Sequence, residues 1–398
     1  MTETIQKEDK ETEEIKEAKK AGYWDDLSQK GKRDAEIKEQ LAEIRTKAKT
    51  ELFNTEVTRE RFESNFIPNI ESQVKNILDP YDLPEEETTR RVNEMIEEQE
   101  ELFEYAQMNA YGEIAFNSYQ AYKIFDGLKS SIYEGEFKLR SDKIEIRFID
   151  PSRIQLTKIT FNATTFRFFQ EGKVAVNMDD LAKALKATKS EKSITTIIFT
   201  ETELKITKCS TELDIPIKDT LSAIDIEIEE LPMETLLSLK FPFTFKLTKE
   251  QFNYILKHTD IHSEVISITA TPEQLLFGQS GQIGERTIPL EKSKIAELSL
   301  NPKLLLNHED DKQTDLPHEA RCGYSLAYLR LVSKMLYLLD KSDTITFHMK
   351  TDHPLLVEIR IPLRHIKQGE IGKLLIRNFI GPRMIDASDE IEEVEDEF

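Results

Sequence analysis

The stretch FIDPSRIQLTKI, residues 148–159, divides into a strand, a break and a second strand. Alternation of apolar and polar residues runs up to Ile149, Asp150-Pro151-Ser152-Arg153 interrupts it, and an aliphatic alternation resumes at Ile154. Asp, Pro and Ser each favour a turn, so the break reads as a tight connection between paired strands. Segments of the same length and period recur outward from it. FKLRSDKIEIRFI and RIQLTKITF surround the break, and ITTIIFT, ELKITKC, VISITAT, DTITFHMK, LLVEIRIPL and LLIRNFI follow. Such runs predict half-buried strands.

Four amphipathic helices are predicted among these strands, near 117–132, 178–189, 248–259 and 325–339. SYQAYKIFDGLKSSI corresponds to TKEQFNYILKHTDI, and MDDLAKALKATKSEKSITTIIF to SLAYLRLVSKMLYLLDKSDTITF, so the order of elements repeats as a domain-scale duplication. At about 3.6 residues per turn, each helix separates an apolar face from a basic one. Ala121, Ile124, Phe125, Leu128 and Ile132 oppose Lys123, with Lys129 at the margin. Leu181, Ala184, Leu185 and Thr188 oppose Lys183 and Lys186, flanked by Lys189. Phe252, Ile255 and Leu256 oppose Lys257 and His258, while Leu329, Val332 and Leu336 oppose Arg330 and Lys334. One such helix is an ordinary solvated face. Four in duplicated positions predict a surface for phosphates, which such contacts position without reading sequence.

That surface stands against an acidic background: 398 residues carry 54 Lys+Arg and 75 Asp+Glu, a formal net charge of −21. The excess of acid argues against indiscriminate binding of nucleic acid. Cys209 and Cys322 are isolated, which suits a reducing, intracellular setting. No signal peptide and no membrane-spanning apolar run is read. Residues 1–112 are rich in Glu and Lys and read as a charged helical extension, solvated or partly disordered. Helices are expected near 10–20, 27–50 and 56–78, with a break or kink at Pro68, and along EETTRRVNEMIEEQEELFEYAQMN. Leu41, Ile44 and Leu52, then Val92, Ile96 and Leu102, are its sparse apolar stripes. The last residues, 387–398, read as an acidic tail.

Taken in order, FIDPSRIQLTKI, VAVNMDDLAKALK, LDIPIKD, CGYSLAYLRLVSK, TDHPLLVEIRI and NFIGPRMID resemble the sliding clamps of the proliferating cell nuclear antigen family, archaeal clamps most of all. The resemblance spans residues 113–386. It implies an α+β DNA-clamp fold of two similar domains, each with two helices packed on antiparallel sheets, here preceded by the all-α extension. The domains would be 113–224 and 244–386, joined by a connector at 225–243. Three chains would close head to tail around duplex DNA, as a homotrimer or with related subunits. Lys123, Lys129, Lys183, Lys186, Lys257, Arg330 and Lys334 would face the DNA. The edge strands ELDIPIKD and GERTIPLE would pair between subunits through Leu213, Ile215, Ile217, Arg286, Ile288 and Leu290. Client proteins, among them a clamp loader and DNA polymerase, would insert short peptides into a pocket of Ile149, Ile154, Leu156, Ile228, Leu231, Pro232, Pro354, Phe379, Ile380, Gly381 and Pro382. Departures from the family are the extension, a long connector, a long loop at 300–323 and IGPRM where an alanine usually precedes the proline.

No P-loop, G-x-S-x-G, H-E-x-x-H or paired C-x-x-C is found, so no catalytic residue, metal or cofactor is expected. GQSGQIG (278–284) lacks the Lys of a phosphate cradle and reads as a hairpin or loop. A metal-dependent hydrolase would rest only on His258 with His262 and on HEDD at 308–311. The expected role is a non-enzymatic processivity clamp in the cytoplasm or nucleoid of an archaeon-like cell, or in a eukaryotic nucleus. Two alternatives stay open. One is a specialised subunit of a heterotrimer for repair, checkpoint or transcription. The other is a scaffold that does not encircle DNA and acts through its N-terminal helices.

Overall fold

The structure is a computed structural model that describes residues 23–54, 57–190, 192–226, 233–259, 262–281, 284–301 and 319–383, with backbone only for 23–29, 233 and 234. The chain divides into two compact units, Met1–Asn109 and Ala110–Phe398.

The first unit contains α1 (Tyr23–Asn54), α2 (Ile67–Leu78) and α3 (Glu85–Gln107). Ile37, Leu41, Ile44, Ala48 and Leu52 recur at helical spacing along α1 and are buried with Ile70, Val74 and Leu78 of α2 and Val92, Met95 and Leu102 of α3. The three helices pack on one another. Phe62 stacks on Phe103 at 4.2 Å. The extension is therefore more than a solvated segment, because the turn before α2 contributes aromatic anchors to its core. On α3, Met95 and Gln99 take the buried stripe and Ile96 is only half-buried. Pro68 produces a π-helical turn at Phe62–Phe66 instead of a break. Lacking an N–H and crowding the carbonyl four residues back, it disturbs the ladder just where the bulge absorbs the misfit. The expected helix at 10–20 lies outside the described residues.

The second unit repeats one order of elements. Its first half runs β1 (Ala110–Asn117), α4 (Ser118–Leu128), β2 (Glu134–Arg140), β3 (Lys143–Ile149), β4 (Gln155–Ala163), β5 (Phe166–Phe168), β6 (Gly172–Asn177), α5 (Met178–Ala184), β7 (Ser193–Thr200), β8 (Glu203–Ser210) and β9 (Pro216–Ser222). A short α6 (Met233–Leu237) lies in the connector. The second half follows as β10 (Phe243–Thr248), α7 (Lys249–Lys257), β11 (Val265–Ala270), β12 (Gln274–Gly281), β13 (Gly284–Glu291), β14 (Glu297–Leu300), β15 (Ala320–Ser325), α8 (Leu326–Met335), β16 (Thr344–Met349), β17 (Leu355–His365), β18 (Gly369–Ile380) and β19 (Pro382–Arg383).

Three antiparallel sheets result, ordered β5-β1-β7-β8-β9, β14-β10-β16-β17-β18-β4-β3-β2-β6 and β13-β12-β11-β15-β19. The nine-stranded sheet is shared: β4 of the first half pairs with β18 of the second, from Ala163 with Gly372 to Gln155 with Ile380. One continuous apolar core lies beneath all three sheets. The body begins at Ala110, ahead of the expected boundary at 112/113, because Ala110 and Gly112 already pair with Thr200 and Phe199 of β7. β10 likewise starts at Phe243, the last residue assigned to the connector. Within GQSGQIG, Gly278–Gly281 end β12 and Gly284 begins β13, and the register of the two strands runs to Gly281 opposite Gly284.

Candidate functional sites

Four helices of the second unit form one layer: α5 packs on α4, α4 on α8, and α8 on α7. Three of the four starts are fixed by side-chain caps. Asn117 accepts from the Gln120 amide, Asn177 from those of Asp179 and Asp180, and Thr248 forms a capping box with Gln251. Gly127 lets the halves meet, since a Cβ there would stand 3.2 Å from the Lys334 carbonyl. Apolar faces turn into the core, leaving the opposite faces to solvent.

The structure sorts the seven expected cations. Lys257, Arg330 and Lys334 are exposed on α7 and α8. Lys183 is exposed on α5 but pairs with Asp179 at 2.7 Å and Asp180 at 3.1 Å. Hydrogen bonding to Lys183, helped by Lys129, holds the Asp179 carboxyl below its ordinary range. Lys129 bridges Asp126 at 3.0 Å and Asp179 at 3.5 Å. Lys123 does not stand free: its side chain is 16% exposed, and its ammonium lies over the rings of Tyr337 at 4.2 Å and Tyr122 at 4.8 Å. Lys186 is exposed but not helical, because α5 stops at Ala184 instead of continuing to 189. Past that point Ala187 is buried and Thr188, expected on the apolar face, is exposed.

Among the described strands, β9 and β13 end their sheets, each paired on one side only. Leu213, Ile215 and Ile217 at β9 are 71%, 60% and 52% exposed, an unusual cost for aliphatics in water. At β13 the expected side chains turn the other way. Arg286 donates to the His258 carbonyl at 2.8 Å, and Ile288 and Leu290 pack against the core. Strand alternation puts those three on the inner face, so β13 offers its backbone edge rather than these side chains.

On the nine-stranded sheet Leu156, Phe379 and Leu356 stand side by side on β4, β18 and β17. They form a satellite apolar cluster that Leu236 of α6 and Phe241 cover. Ile149, Ile154, Pro354 and Gly381 are half-buried and Pro382 is exposed. The Gly381 amide donates to the Ile154 carbonyl at 2.7 Å. Ile380 is no part of the groove: one residue along the strand from Phe379, it points to the opposite face and is fully buried in the main core. Ile228, Leu231 and Pro232 lie outside the described residues. Leu356, Leu236 and Phe241 were not singled out from sequence; the adjacent Leu355 and Leu356 after Pro354 were the available signal, since neighbours on a strand face opposite ways.

His258 caps α7 and packs at 4.4 Å against Tyr254, and HEDD at 308–311 lies outside the described residues. Among the described residues no three His, Cys, Asp or Glu side chains converge on a metal position. No described helix is long and apolar enough to cross a membrane.

A duplicated unit, with helices in one layer and a sheet shared between its halves, is a DNA-clamp fold. A family model for the proliferating cell nuclear antigen N-terminal domain matches residues 115–230. The DNA polymerase sliding clamp of Thermococcus gammatolerans is 26% identical over 247 residues, covering 58% of this chain and 89% of that one. The proliferating cell nuclear antigen of Thermococcus kodakaraensis superposes with a TM-score of 0.55 at 20% identity, over 68% of this chain and 100% of that one. The PCNA2–PCNA3 complex of Sulfolobus tokodaii matches with a TM-score of 0.54 at 24% identity, over 68% and 99%. Residues 115–230 thus match the N-terminal domain of the proliferating cell nuclear antigen, and the chain is similar to DNA polymerase sliding clamps.

Proposed function

We propose that the chain is a subunit of a ring that encircles duplex DNA and tethers DNA polymerase and other replication or repair proteins. The observation that carries this reading is the pair of unpaired edges, β9 and β13, at the ends of two sheets whose helices share one layer. A head-to-tail contact between two different edges is heterologous, and it yields a closed assembly when its rotation fits the subunit number. The exposed aliphatics at β9 would be buried by such a contact. Lys186, Lys257, Arg330 and Lys334 would then neutralise phosphates on the inner face.

The groove of Leu156, Leu356 and Phe379 suits aromatic or aliphatic anchors of client peptides, once Leu236 and Phe241 make room. The role is tethering rather than catalysis, and it is exercised inside the cell, where the DNA is. The two halves, beginning at Ala110 and at Phe243 and joined by the connector, act as one third of the ring. The helical unit serves as a separate partner or loading-control module.

Native mass spectrometry, alone and with related clamp subunits from the same cell, combined with retention on circular against linearised duplex, tests this. The expected result is a trimer that stays on circular DNA and runs off linear ends. A monomer in every mixture, or equal retention on both topologies, would overturn it.

A further inference from the structure

We infer that the helix layer carries a second kind of nucleic-acid contact: Tyr254 and Tyr337 are stacking platforms for unpaired bases, so the assembled clamp grips single-stranded DNA as well as duplex. This rests on the proposed DNA-facing role of the layer.

Tyr254 lies on the solvent side of α7, and Tyr337 on the 3-10 turn Leu336–Leu338 that follows α8, its neighbour Leu336 fully buried. Tyr254 is 59% exposed and Tyr337 60% exposed, against full burial of Tyr324 a few residues before α8. Tyr254 stands one turn before Lys257, and Tyr337 one turn after Lys334. The same pairing of ring and cation thus occurs on α7 and at the C-terminal end of the neighbouring α8. Those helices are tied together by the Ser333 hydroxyl bonding to Asn253 Oδ1 at 2.8 Å, so the two sites are held on one surface.

Tyr337 is also oriented. The Lys123 ammonium stands 4.2 Å from its ring centre. This accounts for Lys123, which is withdrawn from the solvent face that Lys257 and Lys334 occupy. Tyr254 packs at 4.4 Å against the His258 ring.

Neutralising phosphates needs cations alone; large exposed rings add nothing to it and are costly to leave in water. Rings interleaved with cations are what single strands require, with bases on the π-faces and phosphates on the lysines. Duplex bases are already stacked on each other and offer no free face. The occupant is therefore a single strand, such as the unpaired stretch beside a primer end or a flap.

The test uses the full-length protein and fluorescence anisotropy with three probes of equal length: oligothymidylate, an abasic strand and a duplex. All carry comparable phosphate charge per strand, and only the first presents free bases. The wild type should bind oligothymidylate about tenfold more tightly than the abasic strand, as loss of base stacking predicts. The pair Tyr254→Ala and Tyr337→Ala should erase that preference and leave retention on circular duplex unchanged. The pair Tyr254→Phe and Tyr337→Phe should keep it, since stacking needs the ring and not the hydroxyl. Equal wild-type binding of thymidylate and abasic strands, or a preference that survives both alanines, would overturn the inference. If the wild type instead fails to stay on circular duplex, the clamp reading itself falls, and the two failures are separable.

Discussion

The hydroxyl of Tyr328, on α8 in the second half, donates to Oδ2 of Asp150 in the first half at 2.5 Å. Asp150 is 7% exposed and also accepts from the amides of Ser152 and Gln155, while Arg153 closes the turn in the left-handed region at φ 57°. The break in FIDPSRIQLTKI is thus a carboxylate-centred turn that fastens the helix layer of one half to the sheet of the other. A hydrogen bond to a charged acceptor is worth about 1.5–3 kcal/mol, so Tyr328→Phe should destabilise the second unit by about 2 kcal/mol in urea unfolding. Asp150→Ala should cost more, because it also strands two backbone donors. A neutral Tyr328→Phe would show that the turn alone holds this junction.

Acid should loosen the nine-stranded sheet through Glu358. His348 at 3.8 Å and Arg377 at 2.7 Å hold its carboxyl down to about 2 against the opposing effect of burial. Its folded value lies below the unfolded one of about 4.3, so the stabilisation is complete above that pH and is lost as pH falls toward 2. Glu358→Gln should lower stability by up to about 3 kcal/mol at neutral pH and flatten the stability curve between about pH 4.3 and 2. An unchanged acid limb in the variant would assign that limb to other carboxylates.

Leu236 competes with any peptide for the groove that it covers with Phe241. Leu236→Ala should therefore strengthen binding of an aromatic-anchored client peptide several-fold, whereas Leu156→Ala should weaken it by about 2 kcal/mol by removing part of the anchor's seat. Isothermal titration of both variants gives the signs. Weaker binding by Leu236→Ala would make Leu236 a wall of the site rather than its cover.

Lys186, Lys257 and Lys334 are exposed, so changing all three to Glu should alter folding stability by less than about 1 kcal/mol each. Each phosphate that is no longer neutralised lowers the slope of log K against log salt by about 0.9 on duplex. The triple variant should therefore lose up to about 2.7 units of slope for each subunit of the ring. An unchanged slope would place the DNA elsewhere. Lys123 and Lys183, already held by neighbouring groups, should contribute less to the slope when substituted singly.

Removal of residues 1–107 should leave a folded second unit that assembles and loads, since the first unit buries its own apolar stripes. The cut must keep Ala110, which is fully buried and paired in β1. Loss of assembly by this truncation, read by native mass, would make the helical unit part of the subunit interface. A gain in spontaneous DNA binding at low salt would instead show the acidic unit screening the basic layer.

Local periodicity determined most of the elements. Strand alternation around 148–159 and the duplicated helices follow from residue patterns that need no distant partner, whereas the two edge strands were implied by the family resemblance. The turn at Asp150 was legible because Asp, Pro and Ser act on their own backbone. Tertiary structure decided what depends on neighbours far along the chain. Helical spacing placed Lys123 opposite an apolar face, but Tyr337, more than two hundred positions away, takes its ammonium out of the solvent. The end of α5 at Ala184 was hidden because Lys and Ala suit a helix; the burial of Ala187 outside the helix overrides that preference. Leu236 had no visible target, since Leu156, Leu356 and Phe379 become one surface only when β4, β18 and β17 are laid edge to edge. Pattern fixes which face of an element is apolar; which surface covers that face is set by pairing between strands remote in sequence.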